Sequence, residues 1–149
     1  MNAFVSAGAG FLLAVLWFDL MFDVQVIGRR AEVLPEPVLA SLAGYYARVT
    51  TAARPMNRLV AAVMLATLAA IVVEIARGGA HVWARWASLA LAAVPIALAG
   101  AHTVPGAVRL GARRDGPAGQ SALARSICRD HLFCAAAIAA LLAVQLVVF

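Results

Sequence analysis

Four long apolar runs separated by short arginine-bearing stretches constrain this chain more than any other feature. They extend over 3–27, 56–76, 82–104 and 126–149. At 1.5 Å of rise per residue, ~20 such residues form a helix long enough to cross the hydrocarbon core of a bilayer. The composition agrees, with 64% apolar and 13% charged residues, against an apolar share of roughly 45–50% in soluble domains. An ordinary soluble protein is excluded. The 149 residues leave room for four crossings and their connections. We therefore expect an all-α polytopic membrane protein, a four-transmembrane-helix antiparallel bundle in a single membrane domain.

The run boundaries carry local signals. No basic residue precedes the first run and no small-residue cleavage site follows it, so it is expected to stay as a span rather than be removed as a leader. The second run closes at Arg77-Gly78-Gly79, a helix stop. The third contains Pro95, expected to kink it, and should end near Pro105-Gly106. Between the first and second runs, Val38, Leu39, Leu42, Tyr45, Tyr46, Val49 and Ala53 recur at helical spacing. The segment 37–53 is thus expected to form a short amphipathic helix at the cytoplasmic interface, with Pro37 in its first turn and Arg54-Pro55 at its end. The stretch 109–120 reads as a polar, turn-rich loop.

Ten of the twelve arginines flank one side of the spans: Arg29, Arg30, Arg48, Arg54, Arg58, Arg109, Arg113, Arg114, Arg125 and Arg129. Only Arg77 and Arg85 flank the other. The positive-inside rule then puts the arginine-rich end in the cytoplasm of a bacterial inner membrane and both termini in the periplasm. A net charge of +5 is explained by this orientation, so no nucleic-acid partner is expected. Anionic lipids at the cytoplasmic face are. Trp83 and Trp86 beside Arg85 fit an outer interfacial belt. Cys128 and Cys134 lie six apart on one helix and cannot bridge each other. For helix packing, alanines recur every four residues at Ala62, Ala66 and Ala70, at Ala93, Ala97 and Ala101, and at Ala136 and Ala140. They are expected to let backbones approach within the bundle and permit a homo-oligomer.

Charged groups at membrane depth are costly, about 2.5–3.5 kcal/mol each on insertion scales, so each demands a partner, water or a proton. Asp19 and Asp23 stand four apart on one face of the first span. Asn57 and Arg58 open the second, His102 lies near the inner end of the third, and Asp130 and His131 near the start of the fourth. Antiparallel packing is expected to gather Asp19, Asp23, Asn57, Arg58, His102, Asp130 and His131 at one depth, with Arg109 and Arg129 at the rim. Three readings stay open. The carboxylates pair with Arg58 or Arg129 to fix packing, they form a functional polar site, or they are hydrated through local thinning of the bilayer. Spacings typical of metal or haem ligation are missing, so no metal and no cofactor is expected. Glu74, Arg77 and His81 read as an exposed interfacial network, Gln145 as a lone amide wetted at the outer interface, and Trp17, Phe18 and Phe22 as lipid-facing or ligand-stacking aromatics.

Ala7-Gly8-Ala9-Gly10, Tyr45-Tyr46, Thr103-Val104-Pro105, Arg109-Leu110, Arg129 and His131 carry a likeness in layout. By these the chain resembles the anthrone-oxygenase-like family of small four-helix membrane proteins, with Gly106 where that family tends to show asparagine. The resemblance implies the four-helix plan and, for some members, cofactor-free oxygenation of polycyclic phenols. From the residues, the expected function is binding or transforming a small lipophilic or aromatic compound at the polar inner-leaflet site. Asp19 or Asp23 would be the base and His102 or His131 the proton relay. A proton- or ion-conducting element and an assembly subunit of a membrane complex are the alternatives.

Overall fold

The computed structural model describes residues 2–52 and 54–149, and among them every regular element is helical. Helix α1 (Asn2–Asp23) ends in a 3-10 turn, Val24–Val26. Then come α2 (Glu36–Ala47), continued by a π turn over Arg48–Ala52, and α3 (Arg54–Arg77). Next are α4 (Val82–Leu98), a π turn over Ala99–Thr103, α5 (Val104–Gly111) and α6 (Pro117–Val147). Four helical stretches are long and apolar enough to cross a membrane: 2–26, 55–77, 82–111 and 117–147. Each packs on its neighbours in the order α1, α3, α4, α6 and back to α1. The result is a square antiparallel bundle whose termini share one end. Gly78 and Gly79 take positive φ, 66° and 116°, and end α3 where the sequence predicts, because glycine reaches that region without a Cβ clash.

The third span does not stop at Pro105-Gly106. It runs on to Gly111 through the π turn, a wider turn that accommodates Pro105, whose ring has no amide to bond backward. The fourth span likewise starts at Pro117 rather than near 126. Gly116 is extended (ψ 170°) and Pro117 occupies the first turn, where a missing amide costs nothing. The expected 109–120 loop shrinks to 112–116. The added turns of α6 bury Gln120, Ser121 and Ala124 against the protein and expose Pro117, Ala118, Gly119 and Ala122.

Two packed layers stack along the bundle. The first joins Val5, Ala9 and Leu12 of α1 with Ala70 and Ile71 of α3, Ala92 of α4, and Ile138 and Leu141 of α6. The expected alanine stripes are not its seams. Ala62, Ala66, Ala97, Ala101, Ala136 and Ala140 are exposed on the bundle, and only Ala70 of that set is buried. Close approach comes from small residues on other faces: Ala84, Ser88, Ala92 and Pro95 of α4, and Gly8 of α1, where a Cβ would lie 2.1 Å from Thr67 Oγ1. The principle of small-residue packing holds while its phase differs.

The second layer belongs to α2. Val38, Leu39, Leu42 and Tyr46 are buried against Ala107 and Leu110 of α5 and Ala124, Ile127 and Cys128 of α6, with Tyr45 and Val49 partly buried beside them. Ala53, the last residue of the predicted stripe, lies outside the described residues. The amphipathic helix therefore docks on the protein across the ends of the spans. Gly111 allows this: a Cβ there would stand 2.6 Å from the backbone nitrogen of Ala47. Polar ties hold the connection down. Arg113 Nη2 donates to both Glu36 oxygens at 2.7 and 2.9 Å. The Leu34 amide donates to Ser121 Oγ at 2.9 Å, and the Arg125 guanidinium donates to the carbonyls of Ala31 and Glu32.

Candidate functional site

Asp19 and Asp23, one turn apart near the end of α1, face α2 and α6. Each carboxylate meets one of the two tyrosines of α2. Tyr46 Oη donates to Asp23 Oδ1 at 2.6 Å, and Tyr45 Oη donates to Asp19 Oδ1 at 2.7 Å. Between the carboxylates stands His131 of α6, its Nδ1 2.6 Å from Asp23 Oδ2 and its Nε2 3.8 Å from Asp19 Oδ2. The five side chains form a sequence of proton carriers, Tyr46, Asp23, His131, Asp19 and Tyr45. It is tight at the Asp23 end and slack between His131 and Asp19, where 3.8 Å exceeds hydrogen-bonding distance.

Burial follows the same gradient. Asp23 and Tyr46 are 1% and 2% exposed and His131 8%, whereas the Asp19 side chain is 18% exposed. Phe22 stacks on Tyr45 with ring centroids 3.9 Å apart, so the accessible end has an aromatic edge. Trp17, Phe18 and Met21 of the same helix point outward. Burial and the adjacent carboxylates push both tyrosine hydroxyls well above the ordinary phenol range. The phenols thus stay protonated and act as donors at any physiological pH. Asp23 has both oxygens engaged, Oδ1 by the Tyr46 phenol and Oδ2 by His131 Nδ1, which makes Nδ1 a protonated nitrogen and leaves Nε2 on the Asp19 side.

The other expected members lie elsewhere. His102 Nδ1 lies 2.6 Å from Asp130 Oδ2, and Thr103 Oγ1 donates to the same oxygen at 2.9 Å. This second cluster is built by the π turn of the third span, and its histidine is 55% exposed. Asp130 adjoins His131 in sequence, but successive helix positions diverge by 100°, and no hydrogen bond joins the two clusters among the described residues. Asn57 does not reach the carboxylates: its Nδ2 donates to the carbonyl of Thr50 at 3.0 Å, tying α3 to the preceding π turn. Arg58 is exposed. Packing of Asp19 or Asp23 against Arg58 or Arg129 is overturned, because tyrosine and histidine occupy the carboxylates instead. Of the rim arginines, Arg109 pairs with Asp115 at 2.7 Å. Arg129 lines, with Arg125, Val26, Ile27, Ala122, Cys128 and Leu132, a groove of about 490 Å³ one turn of α6 from His131.

The two tyrosines were missed as site residues, though the sequence carried a signal. Tyr46 sits on the apolar stripe 38, 39, 42, 46, and a buried phenol needs a partner for its hydroxyl. At the opposite end two further expectations fail. Glu74 is buried rather than part of an exposed network, and Gln145 is buried with its Nε2 donating to Ser88 Oγ at 3.0 Å. Among the described residues no group of three or more His, Cys, Asp or Glu is arranged to hold a metal ion. Both cysteines are free and buried. No protein-family model, curated protein or solved structure matches the chain.

Proposed function

We propose that this membrane protein binds a small lipophilic or aromatic acid of the phenol class at its arginine-rich end and removes a proton from it. The observation that carries this reading is the 3.8 Å separation of His131 Nε2 and Asp19 Oδ2, too long for a direct hydrogen bond. Asp19 is the more exposed of the two carboxylates, and Oδ2 accepts no hydrogen bond among the described residues. An acidic O–H or activated C–H placed there meets a carboxylate acceptor with an imidazole beside it. His131 and Asp23 then spread the acquired charge and proton into the interior, while Tyr45 and Tyr46 hold the carboxylates in place. Asp19 is the acceptor in this reading, and the other four are positioning and relay groups. The edge of Phe22 and Tyr45 suits an aromatic ring.

Two further features support the reading. Tyr45, Tyr46, Thr103 and His131, all among the residues that carry the resemblance to the anthrone-oxygenase-like family, fall in or beside the polar clusters. Polycyclic phenols are thus the substrate class to try first. The apolar layer of Leu12, Ile71, Ala92, Ile138 and Leu141 separates the site from the polar groups of the opposite end. His131 and Gln145 are about 21 Å apart along α6 at 1.5 Å per residue. That separation favours proton exchange on one side of the membrane over conduction across it.

In this reading the arginine-rich end faces the cytoplasm of a bacterial inner membrane and both termini face the periplasm. Anionic lipid head groups neighbour Arg125 and Arg129.

The test is titration of the purified chain with a hydroxynaphthalene, following phenolate absorbance at a pH where the free probe is protonated. The expected result is a phenolate signal with the native chain and none with Asp19→Asn, whose helicity and melting stay native. Any turnover falls about a hundredfold or more, the size of a general-base contribution. An unchanged signal in Asp19→Asn would sink the proposal.

A further inference from the structure

Glu74, one turn from the end of α3 and far from the histidine site, is 6% exposed, and neither carboxylate oxygen has a hydrogen-bond partner among the described residues. Arg77 lies three residues on, at the spacing where a helix surface pair forms, yet the two make no ion pair. Glu74 instead lines a cavity of about 270 Å³ together with Asn2, Arg77, Gly78, Arg85 and Phe149. Arg85 is held at this cavity by its own backbone contact, Nη1 donating to the carbonyl of Gly79 at 3.1 Å. Gln145 of α6, whose Nε2 donates to Ser88 Oγ, likewise leaves its Oε1 without a partner among the described residues. A buried carboxylate without a donor is costly, so this arrangement is incomplete as it stands.

The charges in the cavity are ordered. Glu74 is buried, Arg85 half-buried and Arg77 exposed. A simple cation in this cavity would share it with two positive charges, and a simple anion would share it with Glu74. A zwitterion that leads with a hydrogen-bond-donating ammonium and trails a phosphate satisfies both. We infer that this cavity binds a primary-ammonium phosphate zwitterion, with the ammonium on Glu74 and the phosphate on Arg77 and Arg85. The size supports a head group, since the volume is just below the ~300 Å³ at which drug-sized pockets begin. The chemistry is shared by the ethanolamine head group of a membrane phospholipid and by soluble phosphoethanolamine. The two sources differ only in the acyl chains.

Native mass spectrometry of the full chain, released from nanodiscs containing equal phosphatidylethanolamine, phosphatidylcholine and phosphatidylglycerol, tests the inference. The expected result is preferential retention of phosphatidylethanolamine, the only one of the three with ammonium N–H donors. In Glu74→Gln that preference falls about tenfold, the loss expected for one charge-assisted hydrogen bond. Arg77→Gln weakens retention of the same lipid. Soluble phosphoethanolamine is added in a separate arm: an adduct there, without lipid preference, assigns the site to the free zwitterion. Equal retention of the three lipids with no phosphoethanolamine adduct overturns the inference in the native protein, whatever the variants do. So does a lipid preference that survives in folded Glu74→Gln.

Discussion

His131 Nδ1 and Asp23 Oδ2 lie 2.6 Å apart although 108 residues separate them in the chain. The contact joins the last turn of α1 to the middle of α6, where a single carboxylate accepts from both an imidazole and the Tyr46 phenol. Asp23 therefore organises the interior, while Asp19, bonded among the described residues to Tyr45 alone, keeps an oxygen available. The two aspartates should respond differently to substitution.

Asp23→Ala strands a buried imidazole and a buried phenol. Removing one partner of a buried pair costs about 3 kcal/mol or more, so thermal unfolding in detergent should shift strongly downward. Asp19→Asn keeps a hydrogen-bond acceptor for Tyr45 at a partly exposed position and should melt within a few degrees of the native chain. Equal melting of the two variants would contradict the gradient of burial.

The chain has two tyrosines, Tyr45 and Tyr46, so its phenolate absorbance reports on this site alone. Both are pushed up in the folded state by burial and by the neighbouring carboxylates. A raised folded pKa means that the associated stability is fully present below the unfolded value, about 10, and is lost as pH climbs above it. Spectrophotometric titration should show no tyrosinate near pH 10 in the folded protein. Ionisation should coincide with loss of the helical signal at higher pH, whereas the denatured chain ionises normally. Early ionisation of either tyrosine with the fold intact would show that it does not face a carboxylate.

Gly111→Ala should destabilise the docked α2 by about 1–3 kcal/mol, the usual cost of overpacking. The added Cβ meets the backbone of Ala47 and Tyr46 at 2.6 and 2.9 Å, and a backbone cannot rotate away as a side chain can. Faster amide exchange over 36–47, with the spans unaffected, is the expected readout.

Ala66→Leu and Ala92→Leu form a matched pair. Ala66 is exposed on the bundle and Ala92 is fully buried. The first should change the melting of the monomeric chain by no more than about 0.5 kcal/mol, and the second should cost about 1–3 kcal/mol through overpacking. The reverse order would place the packing seam of α3 on its alanine stripe.

That last pair shows why some of the fold was legible and some was not. Small residues every fourth position mark a helix face, but lipid and protein are both apolar, so no polarity difference says which face turns inward. The seam chosen on α4 runs through Ala84, Ser88, Ala92 and Pro95 instead. In the candidate site, Asp19, Asp23 and His131 were legible because ionisable groups at membrane depth must find partners. Asn57 and Arg58 were not, because the π turn at 48–52 offers Asn57 a nearer acceptor in Thr50. Glu74 and Gln145 read as wetted interfacial groups since their distance from a span end is visible in sequence and their facing is not.

Sequence alone determined the number of spans, the approximate ends of the first two, the amphipathic segment between them and the asymmetric placement of arginine. Each follows from local quantities: transfer cost per residue, helical period and the geometry of glycine and proline. Tertiary structure decided how the carboxylates are satisfied. It bent α2 back over the ends of the spans so that Tyr45 and Tyr46 reach Asp19 and Asp23 across 26 and 23 residues, and it turned His131 rather than an arginine between them. That choice depends on the rotational phase of each helix about its axis. Phase is set by the packing of all the helices together, and no single segment encodes it.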